Sequence, residues 1–115
     1  MERSLDIVIL LDIYGELLAN SQRQAMDLRY NADLSLAEIA EELGGITRQS
    51  VVYSIKKGEQ RLFELEEKLG IAKRLRTLSG ELEQAMELVN ELKQEHSDKR
   101  FERLGEILGE VQRGL

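Results

Sequence analysis

The chain has 115 residues, no cysteine, no proline and a formal net charge of −6. Without a thiol, disulfides and thiolate chemistry are excluded; with a single histidine, no Ser-His-Asp set, phosphate loop or buried carboxylate pair can be assembled, so neither an enzyme nor a cofactor is expected. Leu, Glu, Ala, Lys and Arg dominate and aromatics are few, which predicts an all-α chain of one domain with room for a helical extension.

No basic segment precedes an apolar run at the N-terminus, so no secretory signal is expected. The longest unbroken apolar stretch, Ile7 to Leu11, is far too short to span a bilayer. The expectation is therefore a soluble, cytoplasmic protein without membrane insertion. Leu5, Val8, Ile9, Leu11, Ile13, Leu17 and Leu18 predict a first helix over 5–18, apolar on more than one stripe. Ser21 and Gln24 fit a capping box that opens a second helix running to about residue 30, followed by a loop at Asn31-Ala32-Asp33. Ser35 and Glu38 form a second capping box, opening a short helix to Leu43 that Gly44-Gly45 stops. Thr47 can cap the next helix, whose apolar positions are Val51, Ile55, Leu62, Leu65 and Leu69. Gly70 divides a head, residues 1–70, from a helical tail, residues 71–115. In the tail, Leu75, Leu78, Leu82, Ala85, Val89 and Leu92 alternate steps of three and four, a heptad seam that needs a partner surface. A break at His96-Ser97 precedes a last helix with Phe101, Leu104, Leu108 and Val111 on one stripe. His96 has no further ligands at helical spacing, so no metal site is expected.

Residues 35–69 carry the spacing of a helix-turn-helix. Ile39, Ala40 and Leu43 face inward on the first helix, with a small residue where the second must cross closely. Glycine ends that helix, Ile46 follows, and Val51 and Ile55 anchor the second helix one turn apart. With those two buried, a step of about 100° per residue places Gln49, Tyr53, Lys56 and Gln60 on the opposite face. Such side chains reach base edges or phosphates, while Thr47 and Arg48 stand at the helix N-terminus, where amides and a guanidinium can hold a phosphate. The same spacing also serves units that bind only protein; Lys56 and Lys57 equally suit a solvated face, and Tyr53 equally suits a cover for apolar surface. Gly58 falls on the buried side, which favours close helix packing over any phosphate role.

The charge is uneven. Arg48, Lys56, Lys57 and Arg61 face only Glu59 between residues 47 and 61, and Lys68, Lys73, Arg74 and Arg76 meet no acid between 68 and 76. From Glu81 to Glu95 acidic residues prevail. A local patch decides where a phosphate backbone sits, whatever the overall sign.

LLDIYGELLANSQRQ, DLSLAEIAEELG and ITRQSVVYSIKKGE, in that order, resemble the YlxM family of small bacterial proteins, whose helix-turn-helix is similar to that of sigma-factor region 4. The resemblance covers about residues 5–75. It implies that Arg48 and Gln49 open the recognition helix and that Ile55 and Lys56 occupy the family's Ile-Lys positions. This chain departs from the pattern with a second glycine, Gly45, in the turn and with its tyrosine one residue later, at Tyr53. In the family the gene typically lies beside those of the signal recognition particle and its receptor, which implies a role near that pathway. The expected function is a DNA-binding regulator using Thr47, Arg48, Gln49, Tyr53, Lys56 and Lys57 on a duplex, with RNA as a further nucleic-acid partner. The alternative is an accessory module that binds a protein or the RNA of the particle. The unpaired seam and the very apolar first helix favour a homodimer.

Overall fold

A computed structural model describes residues 3–115, with side chains from Asp6 onward. All regular elements among them are helical: α1 (Arg3–Tyr14), α2 (Asn20–Met26), α3 (Leu36–Glu42), α4 (Arg48–Leu69), α5 (Ile71–Glu95) and α6 (Lys99–Gly114). The chain divides into two compact units, Met1–Ala72 and Lys73–Leu115.

In the first unit α4 is the axis, packed by α1, α2 and α3. The core draws Ile7, Leu10, Leu11 and Tyr14 from α1, Ala25 and Met26 from α2, Ile39 and Ala40 from α3, and Val51, Ile55, Leu62 and Leu65 from α4. Ile7, Leu10, Leu11 and Tyr14 form one buried stripe of α1, while Val8, Ile9 and Ile13 are half-buried; Leu5 lies outside the described side chains. The first helix is shorter than its apolar run predicts. It tightens into a 3-10 turn at Gly15–Leu17, which tucks Leu18 into the core and leaves Leu17 60% exposed.

The start of α2 departs from expectation. Asn20 is already helical, Ala19 is the N-cap without a side-chain bond, and Ser21 caps nothing. Burying Leu18 fixes the chain in an extended conformation immediately before, so tertiary packing sets the helix start ahead of the local cap signal. The helix then widens into a π turn at Asp27–Asn31, which lets Leu28 and Tyr30 pack against the core.

Tyr14 joins α1 to the junction beyond α4. Its hydroxyl donates to Glu66 Oε1 at 2.7 Å and accepts from the Ile71 amide at 3.1 Å, while the same carboxylate oxygen accepts from the Ala72 amide at 3.0 Å. Two amides at the start of α5, which have no acceptor within the helix, are thereby satisfied. Gly70, at φ 63°, supplies the left-handed residue that ends α4, and Leu69 is exposed rather than continuing the buried stripe.

In the second unit, Asp98 caps α6, accepting from the Arg100 amide at 2.9 Å and pairing with its guanidinium, contacts that hold the Asp98 carboxyl below the usual carboxylate range. The seam predicted on α5 is present as a stripe, yet Val89 alone is buried among the described apolar residues of this unit. It sits beside Gly105 of α6, where an added Cβ would lie 3.7 Å from Val89 Cγ1.

Candidate nucleic-acid interface

The candidate interface comprises α3, the turn after it and the first half of α4. Ser35 opens α3 with both halves of a capping box: its hydroxyl accepts from the Glu38 amide at 3.1 Å, and its amide donates to Glu38 Oε1 at 3.0 Å. The amide and hydroxyl of Ser35 together hold the Glu38 carboxyl below its ordinary range. Ile39 and Ala40 then face inward. At the far end the Gly45 and Ile46 amides both donate to the Ala40 carbonyl, at 3.0 and 3.2 Å. That double bond pattern needs left-handed backbone at two successive residues, and Gly44 (φ 93°) and Gly45 (φ 81°) provide it without a side-chain penalty. Ile46 is 40% exposed, so the turn's apolar residue caps the core only from its rim.

Thr47 accepts from the Ser50 amide at 3.0 Å and caps α4. Its hydroxyl also donates to Ser50 Oγ at 3.0 Å. Thr47 therefore serves first as a cap, leaving the Arg48 and Gln49 amides as the outward donors of the helix end. Val51 and Ile55 are buried, as the spacing predicts, and Gly58 continues their side. Across the helix Arg48, Gln49, Tyr53, Lys56 and Lys57 are all exposed. Tyr53 is 64% exposed and lies on no apolar surface that hides it; Lys57 Nζ stands 5.7 Å from its ring centroid, a cation–π distance.

The acids near this face are turned or paired. Glu59 accepts the Tyr30 hydroxyl from the end of the π turn, on the flank rather than the face. Glu64 lies 3.6 Å from Arg61. From Leu43 to Gly58 the sequence holds no carboxylate. Leu17, Ala19 and Gln22, absent from the sequence-based candidates, join Lys57, Gln60, Arg61 and Glu64 in lining a groove of about 350 Å³ beside the face. Only Gly15 hinted that the chain turns there.

A family model for helix-turn-helix proteins, described as YlxM / p13 like, matches residues 1–106. The chain belongs to the YlxM / p13-like helix-turn-helix family. A UPF0122 protein of Clostridium kluyveri is 40% identical over 107 residues, covering 93% of each chain. One from Clostridium novyi is 37% identical over 101 residues, covering 88% of this chain and 87% of its own. Another, from Acetivibrio thermocellus, is 46% identical over 71 residues, covering 62% of this chain and 60% of its own. Membership in the YlxM / p13-like family extends through α5 and into α6, so the tail lies within the family pattern as well as the head. No helix of the described residues is long and apolar enough to cross a membrane.

Proposed function

We propose that this protein is a non-enzymatic, cytoplasmic regulator that binds duplex DNA through the first half of α4 and works as a homodimer. The observation that carries the reading is the outward face of that helix. Arg48, Gln49, Tyr53, Lys56 and Lys57 stand exposed in a stretch free of carboxylates, opposite a fully packed anchor at Val51 and Ile55. The overall charge of −6 does not oppose this, because screening at physiological salt limits the reach of distant carboxylates to about 8 Å. Arg48 and the amides at the N-terminus of α4 hold phosphate, Lys56 and Lys57 add phosphate contacts, and Gln49 and Tyr53 meet base edges. The pathway proposed for this regulator is that of the signal recognition particle, a reading supported by the family resemblance alone.

Binding to duplex DNA and to the RNA and protein of the signal recognition particle, measured separately, tests the assignment. Lys56→Ala with Lys57→Ala is expected to make the salt dependence of DNA binding shallower by about 2 logarithmic units per decade of salt. Lys56→Glu with Lys57→Glu is expected to eliminate DNA binding at low salt while leaving helicity unchanged. Loss of binding to the particle instead, with no DNA binding by the parent protein, would favour the accessory module. Unchanged behaviour in every assay removes this face from either mechanism.

A further inference from the structure

Gln49 faces straight out from the packed side of α4. With Gln49 as reference, about 100° per residue places Tyr53, Lys56 and Gln60 within about 40° of it. Arg48 and Lys57 fall about 80–100° away, on opposite flanks. Val51, Ile55 and Gly58 are buried on the far side. Cations therefore bracket the face, and Lys56 is the single charge along its centre.

In the first turn of α4, Gln49 stands alone at that centre. The Thr47 and Ser50 hydroxyls bond to each other at 3.0 Å, and the Thr47 oxygen also accepts from the Ser50 amide. Tyr53, one turn on, has its ring beside the Lys57 ammonium. The Gln49 side chain is exposed and has no hydrogen-bond partner among the described residues. The backbone that carries it is fixed, by the Gly45 and Ile46 amides on the Ala40 carbonyl and by the Thr47 cap. A recognition helix meets base edges with its N-terminal residues. Lys56 and Gln60 lie about 10 and 16 Å further along the axis, beyond the base pair that Gln49 reaches.

A primary amide presents a donor and an acceptor side by side. In the major groove adenine offers the complementary pair, N7 as acceptor and the N6 amino group as donor. Guanine offers two acceptors, thymine one acceptor beside a methyl group, and cytosine one donor, so each leaves an amide atom unpaired. We infer that Gln49 selects one adenine of the bound duplex, its amide donating to N7 and accepting from N6. This rests on the DNA-binding reading above and names the base that the face selects.

Selection from random duplexes by the full-length chain, and by its Gln49→Ala and Gln49→Arg variants, tests the assignment, with affinities then measured on the enriched site. The parent's site is expected to hold an A·T pair whose replacement by G·C weakens binding about 5- to 150-fold. Placing 7-deazaadenine there keeps the pairing and removes N7; it should weaken the parent and leave Gln49→Ala unaffected. Gln49→Ala should accept all four bases at that position with an unchanged salt slope, because no phosphate contact is lost. Gln49→Arg should turn the preference to guanine, whose two acceptors match a guanidinium. A Gln49→Ala variant that keeps every preference of the parent, or relaxes a position other than an A·T pair, overturns the inference and leaves DNA binding standing. A parent that binds all duplexes alike does the same. A parent that binds no duplex even at low salt overturns the DNA-binding reading and the inference together.

Discussion

Gly58→Val is expected to destabilise the head by about 1–3 kcal/mol through overpacking, enough to lower the urea midpoint visibly. Gly58 lies on the buried side of α4 where α2 crosses it. A Cβ there would stand 2.9 Å from Met26 Cγ and 3.2 Å from its sulfur, with Gln22 Cβ at 3.6 Å. Met26 is fully buried, and its Cγ is close to the backbone rather than at the mobile end of the side chain, so it has little room to withdraw. Glycine in a helix interior sacrifices about 1 kcal/mol of propensity relative to alanine. Gly58→Ala therefore sets that gain against the Met26 contact, and valine adds two further methyl groups plus restricted rotamers. A midpoint unchanged or raised in the valine variant would mean that α2 yields easily and that the crossing does not depend on glycine.

Tyr14→Ala is expected to have the larger effect, about 3–5 kcal/mol, because it empties the site of the largest fully buried side chain in the head. Tyr14→Phe separates packing from the hydroxyl. It keeps the ring but leaves the Ile71 amide without its acceptor and Glu66 without its donor, an expected loss of about 1–3 kcal/mol. The phenol also makes stability sensitive to alkali. Burial first, and the hydrogen bond to Glu66 second, push the Tyr14 pKa above the ordinary phenol value. A folded pKa that is raised contributes stability fully present below the ordinary phenol value and lost as pH climbs toward the folded one. Denaturation followed from neutral to strongly alkaline pH should therefore show a decline in the parent that Tyr14→Phe reduces. Equal alkaline profiles would place the loss in other groups.

What could be read in the sequence was what is local. The Ser35–Glu38 box, the Gly44-Gly45 stop and the Thr47 cap each depend on residues within three or four positions, and all three form as the spacing predicts. Val51 and Ile55 were legible as a buried pair because helical phase alone assigns them a side. Ser21 misled for the converse reason: its cap signal was sound locally, but Leu18 is held by a core assembled from four helices, and the chain starts α2 earlier. Tyr14 and Glu66, 52 residues apart, leave no trace in any window of sequence. Gly58 was half legible, its side fixed by phase and its neighbour Met26 invisible. Gln49, Tyr53 and Lys56 were placed on the outer face by phase, and Thr47 and Arg48 by the helix start, whereas the Glu59–Tyr30 bond that turns a nearby acid onto the flank came only with the fold. In the tail, periodicity found the stripe but could not say how little of it one chain covers.

The first half of α4 is the surface proposed to meet nucleic acid. Amide chemical shifts of the labelled full-length protein, followed during titration with duplex DNA at low salt, test it most directly. The shifted amides are expected to concentrate between Ile46 and Lys57, with Arg48 and Gln49 at the helix N-terminus moving most, and added salt is expected to reverse the shifts. Shifts confined to α5 and α6, or none anywhere at concentrations where the protein stays folded, would contradict it and leave the helix-turn-helix as a scaffold.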